Sequence, residues 1–107
     1  MMIADIQAAV CRHYKLPREA MRCVERPREI ARPRQVAMYL ARRLTDRSYP
    51  MIGRHFGGRV HHTVMHAERR IETLRATDPR IEADVLAITA KLSQPQPQGL
   101  RHSEGAM

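Results

Sequence analysis

Two consecutive glycines, Gly57-Gly58, lie between two short segments of helical apolar periodicity, and they constrain the fold more than any other feature. A glycine reaches positive φ without a Cβ clash, so the pair stops a helix and lets the chain reverse within a few residues. Upstream, Met51, Ile52 and Phe56 supply the inner face of a short helix that begins at Tyr49-Pro50, with Ser48 as its N-cap. Downstream, Val64, Ala67, Ile71 and Leu74 recur at intervals of three, four and three, the spacing of one helix face. Arg59, Val60, His61, His62 and Thr63 then occupy the N-terminal end of that second helix, with Val64 turned inward. Gly53 is expected where two helices approach closely.

The remaining sequence predicts helices and no strand. Ile3, Ile6, Val10 and Tyr14 mark an amphipathic helix over 3–14. Leu16-Pro17 breaks it, and Pro17 can open a short helical turn through Met21. Residues 24–31 read as a basic connector, and Pro33 suits the first turn of a longer helix with Val36, Ala37, Leu40, Ala41 and Leu44 on its buried face. Asp78 caps a last helix with Pro79 at its first position and Ile81, Val85, Ile88 and Leu92 along its apolar edge. The expected fold class is all-α, a small helical bundle, with residues 1–93 as one domain. The tail 94–107 has too little apolar content to fold and is expected to be disordered.

Composition limits what such a bundle can be. A chain of 107 residues holds one modest core. With one Phe, three Tyr and no Trp, aliphatic side chains and Met must build it, and the Met and Ala positions of Ala37-Met38-Tyr39-Leu40-Ala41 are expected inside. No apolar run approaches the roughly 18 residues of a membrane span, and the N-terminus has no basic region of a signal peptide. Cys11 and Cys23 are therefore expected to be reduced and partly buried in a cytoplasmic protein.

The charge points to a polyanionic partner. The formal net charge is +8, and 17 of the 19 basic residues are Arg. Guanidinium presents a planar fork of donors that suits phosphate and guanine edges. From Arg26 to Arg70 there are eleven Arg against Glu29, Asp46 and Glu68, whereas from Thr77 onward the charge nearly balances. The excess thus coincides with the helix-turn-helix pattern, whose second helix would meet base edges in a major groove with its N-terminal end. Phosphates are also favoured there by unpaired backbone N–H groups.

The residues of this stretch resemble the box-binding C-terminal domain of the DnaA replication-initiator family. They match at Ala31-Arg32-Pro33-Arg34-Gln35, Ala37-Met38-Tyr39-Leu40, Leu44-Thr45, Ser48 and Ile52-Gly53. They match again at Phe56-Gly57-Gly58-Arg59, His61, Thr63-Val64, His66-Ala67 and Arg70-Ile71. The resemblance implies a Trp-repressor-like helix-turn-helix that binds short asymmetric duplex sites. By position, Arg26 would enter the minor groove, where a narrow A·T-rich tract attracts guanidinium. Arg34 and Gln35 would bind backbone phosphate, with Arg42, Ser48 and Arg59 as further phosphate contacts. His61 and Thr63 match base-reading positions in the major groove, where a Thr methyl can pack on a thymine methyl.

Two departures from the family pattern fall at those positions. Val60 stands where the family has an aspartate able to accept from cytosine, and His62 where it has a threonine. A lost base contact is worth about 1–3 kcal/mol, so an altered or relaxed site is expected rather than the family's own box. The sequence holds no GxxxxGK(S/T) loop, so no ATPase, catalytic residue or cofactor is expected. The expected role is a detached DNA-reading module: a nucleoid-associated regulator of replication initiation or transcription. Its partners would be double-stranded DNA and a replication initiator or other replication protein. The alternative is a protein-interaction module that modulates an initiator without reading DNA. His55, His61, His62 and His66 raise a metal site, but no HExxH arrangement or zinc-ribbon spacing accompanies them. They read instead as DNA contacts, or as core packing for His66.

Overall fold

A computed structural model describes residues 1–23 and 28–93, and among these it shows five α-helices, one 3-10 turn and no strand. The helices are α1 (Ile3–Tyr14), α2 (Arg28–Leu44), α3 (Tyr49–His55), α4 (His61–Thr77) and α5 (Pro79–Ser93), with the 3-10 turn Arg18–Met21 between α1 and α2. The four residues 24–27, including Arg26, and the tail 94–107 lie outside the described residues.

α1 starts where Asp5 accepts from the Met2 N–H at 3.1 Å, and it ends in a left-handed turn. Lys15 has φ 59°, its N–H reaches the Arg12 carbonyl, and the Leu16 N–H reaches the Cys11 carbonyl at 2.8 Å. This is the two-bond Schellman pattern with Lys where glycine is usual. The partly buried Leu16 packs against the core. The Cys11 thiol donates to the Pro17 carbonyl at 3.4 Å, and burial pushes its pKa up. No disulfide joins the two cysteines, of which Cys11 is buried and Cys23 partly so.

α2 is the central helix, packed against α1, α3, α4 and α5. It begins five residues earlier than Pro33 was expected to begin it, so Pro33 lies inside the helix and residues 28–31 are helical rather than connector. A proline there forfeits one bond, to the Glu29 carbonyl in the first turn. The turn before Pro33 places Ile30 in the core, 8% exposed, which offsets that loss. All five residues Ala37–Ala41 are buried, as the sequence required.

α3 opens with the Ser48 hydroxyl accepting from the Met51 N–H at 3.3 Å. Beyond Phe56, Gly57 and Gly58 take φ of 83° and 77°, reversing the chain into α4. Gly53 abuts the turn rather than a second helix. A Cβ at Gly53 would fall 2.0 Å from the Arg59 carbonyl oxygen, and the Arg59 N–H donates to the Gly53 carbonyl at 2.9 Å. Val64, Ala67 and Ile71 of α4 are buried in one continuous core with Val36 and Leu40 of α2 and Ile88 of α5. Asp78 caps α5 by accepting from the Arg80 N–H at 3.0 Å.

Polar clamps tie the helices together away from the turn. The buried Tyr39 donates its hydroxyl to Glu72 at 2.8 Å and accepts from Arg75 at 2.9 Å. Arg43 pairs with Glu72, and Arg75 with Glu82, completing a network across α2, α4 and α5. Asp84 of α5 receives the Tyr14 hydroxyl at 2.9 Å and contacts His13 at 2.8 Å, closing the fold between α1 and α5. Burial and the Asp84 carboxylate together hold the Tyr14 hydroxyl protonated, well above the ordinary tyrosine range. No helix among the described residues is long and apolar enough to cross a membrane.

Candidate nucleic-acid interface

The N-terminal end of α4, where base-reading residues are expected, projects from the fold. Val60 is the N-cap residue in extended conformation and is 63% exposed, a large apolar side chain offered to solvent. Val60 has no side-chain acceptor to cap the helix, and its carbonyl accepts from the Thr63 N–H at 3.0 Å. His61 and His62 are exposed, with ring centroids 4.1 Å apart, and Thr63 is half-buried at the edge of a groove. The helix carries no acidic residue in its first turn, so nothing there repels a phosphate.

The groove beside this end runs between α2 and α4. Its floor is Met38 and Ala67, and Gln35, Arg59, Thr63 and His66 contribute to its walls. His66 is exposed, so its expected place in the core is corrected: Ala67 takes the inward position and His66 points to the groove. A second, shallower concavity continues along α2 and is lined by Arg28, Ala31, Arg32, Gln35 and Arg70. Arg32 holds Gln35 by donating to its side-chain carbonyl at 2.5 Å. Gln35 is thereby held in a basic setting. The cationic wall of Arg28, Arg32 and Arg70 was not singled out from the sequence. Its signal was present in the i, i+4 spacing of Arg28 and Arg32.

The expected phosphate residues divide in two. Ser48 is exposed, with its hydroxyl at the α3 cap, and the half-exposed Arg42 stacks over the Tyr49 ring at 4.3 Å and donates to the Arg47 carbonyl at 2.9 Å. Arg34 stands elsewhere. It is 5% exposed and donates to the Ala20 carbonyl at 2.6 Å, the Cys23 carbonyl at 2.7 Å and the Cys23 sulfur at 2.8 Å. The structure thus places Arg34 as an internal clamp rather than on the surface, because its backbone position belongs to the buried face of α2. Arg59, half-buried on the wall of the groove, donates to the same Cys23 carbonyl at 2.9 Å. No group of three or more His, Cys, Asp or Glu side chains able to hold a metal occurs among the described residues.

Comparison with known proteins bears on this surface directly. A family model described as the bacterial dnaA protein helix-turn-helix matches residues 3–71. The chain belongs to the DnaA family. It is 56% identical over 91 residues to the chromosomal replication initiator protein DnaA of Sphingopyxis alaskensis, a match covering 85% of this chain and 20% of that protein. It is 56% identical over 90 residues to the DnaA of a Caulobacter strain, covering 84% of this chain and 18% of that protein. With the DnaA of Zymomonas mobilis the identity is 57% over 83 residues, covering 78% and 17%. The chain therefore spans about a fifth of the length of the curated relatives it matches. Membership makes α3, the glycine turn and α4 a DnaA-type helix-turn-helix, which supports DNA binding of the DnaA kind.

Proposed function

We propose that this chain reads double-stranded DNA in a sequence-specific way, through the N-terminal end of α4, and regulates replication initiation or transcription at initiator-type sites. The observation that carries the reading is the exposed run Val60, His61, His62 beside a groove walled by Gln35, Thr63 and His66, with the concavity of Arg28, Arg32 and Arg70 further along α2. A major groove admits a helix presented in this way, and base edges select among its side chains. Val60, His61, His62 and Thr63 are the base-reading residues, and Arg26 supplies the minor-groove contact. Gln35, Arg42 and Ser48 bind phosphate, joined by the arginines of the α2 groove. Regulation would follow from occupying sites that a full initiator also reads, or from bringing an initiator or another replication protein to them.

Selection of bound sequences from a random duplex pool tests this reading. An enriched motif is expected, and affinity for it should fall steeply with salt, since each neutralised phosphate contributes roughly 0.9 to the logarithmic salt slope. His61→Ala should erase the enrichment while leaving salt-dependent non-specific binding. Equal affinity for enriched and random duplexes, unchanged by His61→Ala, would refute sequence reading.

A further inference from the structure

The α3–α4 turn is held from behind by the N-terminal segment of the chain. Gln7 of α1, 6% exposed, donates its side-chain amide to the His55 carbonyl at 2.7 Å. Gly57 packs so tightly that a Cβ on it would fall 2.4 Å from the Arg22 carbonyl oxygen. Arg59 reaches back to the Cys23 carbonyl at 2.9 Å, and Arg34 grips the same carbonyl from α2 at 2.7 Å. One carbonyl thus joins three parts of the fold: the strand of chain leaving the 3-10 turn, the first half of α2 and the residue immediately before Val60.

A guanidinium-to-carbonyl bond is charge-assisted, shorter and stronger than a neutral amide bond. At Arg59 it is combined with a backbone bond from the same residue to the Gly53 carbonyl. Main chain and side chain of Arg59 are therefore fixed together, one residue ahead of the N-cap of α4. From this geometry we infer that Arg59 is a positioning residue. It sets the pose of Val60–Thr63 against the α2 groove by binding the Cys23 carbonyl, and it is not one of the phosphate contacts. The inference rests on the DNA-reading assignment above, and it separates two jobs that the same guanidinium could do.

The two jobs differ in their salt signature. A phosphate contact adds to every complex alike, so losing it weakens binding uniformly across sequences and makes the salt slope shallower by about one. A positioning contact acts through the base-reading residues, so losing it lowers affinity for the preferred duplex and leaves the slope unchanged. Arg59→Met removes charge and donors at similar length, whereas Arg59→Gln removes the charge and retains an amide donor.

The test titrates wild type and both variants against two fluorescent duplexes of equal length over a series of salt concentrations. One duplex carries the pool-selected motif, the other a scrambled version of it. Arg59→Met should lose about tenfold in affinity for the motif, bind the scrambled duplex as wild type does, and keep the wild-type slope. Arg59→Gln, whose amide falls short of the Cys23 carbonyl, should likewise lose selectivity for the motif and keep that slope. A slope shallower by about 0.9 in Arg59→Gln, with equal weakening on both duplexes, would overturn the positioning role while leaving DNA reading intact. Both variants remove the charge, so the slope of Arg59→Gln decides the question even if Arg59→Met is too unstable to assay. A wild type without preference between the duplexes overturns both assignments.

Discussion

Substituting alanine at each of three glycines around the turn should give three different stabilities, because each glycine is required for a different reason. Gly58 has φ 77° and open space where a Cβ would go. Only backbone strain opposes Gly58→Ala. An L-residue in the left-handed region costs about 1–2 kcal/mol, and alanine recovers roughly 0.4–1 kcal/mol by restricting the unfolded chain. The net loss is about 0.5–1 kcal/mol. Gly57 has φ 83° and a Cβ would also sit 2.4 Å from the Arg22 carbonyl oxygen, a backbone atom that no rotamer change can move. Adding overpacking of about 1–3 kcal/mol brings Gly57→Ala to roughly 2–4 kcal/mol. Gly53 is helical, so alanine gains about 1 kcal/mol in propensity. Against that gain stands a contact of 2.0 Å with the Arg59 carbonyl. Relieving it means moving the Arg59 segment off the Gly53 carbonyl, which loses a hydrogen bond worth about 0.5–1.5 kcal/mol as well as the packing. Gly53→Ala should therefore cost roughly 2–3 kcal/mol.

Thermal melts followed by circular dichroism resolve this series. At about 4–8 °C per kcal/mol for a domain of this size, Gly58→Ala should lower Tm by roughly 2–8 °C, and Gly53→Ala and Gly57→Ala by at least about 8 °C. Urea titration should give the same ranking. The reasoning fails if Gly53→Ala melts with wild type, since helix propensity would then have won over a clash the structure describes. It fails equally if Gly58→Ala is as damaging as Gly57→Ala, because the Arg22 contact would then contribute nothing.

Other perturbations test other parts of the fold. Lys15→Gly should raise stability by about 0.5–1 kcal/mol in urea titration, because Lys15 holds a left-handed position that glycine adopts freely. Tyr39→Phe should cost about 0.5–1.5 kcal/mol. It removes a hydroxyl that bridges Glu72 and Arg75, though both of those side chains reach water and can be rehydrated. Acid should destabilise the protein through the same network. The Tyr39 hydroxyl, with Arg43, lowers the Glu72 pKa below the ordinary carboxylate range, and Arg75 lowers that of Glu82. A carboxylate with a depressed folded pKa contributes stability above its unfolded value of about 4.3 and loses it as pH falls through the folded value. Tm should thus drop as pH is taken from 5 toward 3, and Glu72→Gln with Glu82→Gln should flatten part of that drop.

The helices were legible because their signals are local. Ser48, Asp78, Pro79 and the glycine pair each mark an end by what their own backbone or side chain can do, and the structure uses all of them as such. The start of α2 was not legible in this way. Pro33 is a strong local signal for a first turn, yet Ile30 gains enough from the core to draw the helix five residues further back. That gain depends on α2 packing against its neighbours, and no single segment reports it. Gln7 was equally silent, since its partner is a carbonyl 48 residues away.

The arginines pose a sharper version of the same problem. Ile30, Arg34, Ala37 and Ala41 follow one another at four, three and four, so spacing alone puts Arg34 on the buried stripe of α2. Its match to a phosphate-binding position of the family argued for the surface. Burying it is tolerable because carbonyls and a sulfur receive its donors. His66 errs the other way: the stripe through Val64, Ala67 and Ile71 already excludes it, and the structure leaves it exposed. For both residues periodicity outweighed residue type, because the helix fixes the direction of a side chain before its chemistry can act. A count of basic residues therefore overstates the charge that faces outward. Of the five expected phosphate residues, Ser48 is exposed, Gln35, Arg42 and Arg59 are half-buried and Arg34 is buried, and Arg34 and Arg59 both donate to the Cys23 carbonyl. If those two arginines frame the reading head while the outer groups hold the backbone, the salt slope should follow the outer set and selectivity the inner one.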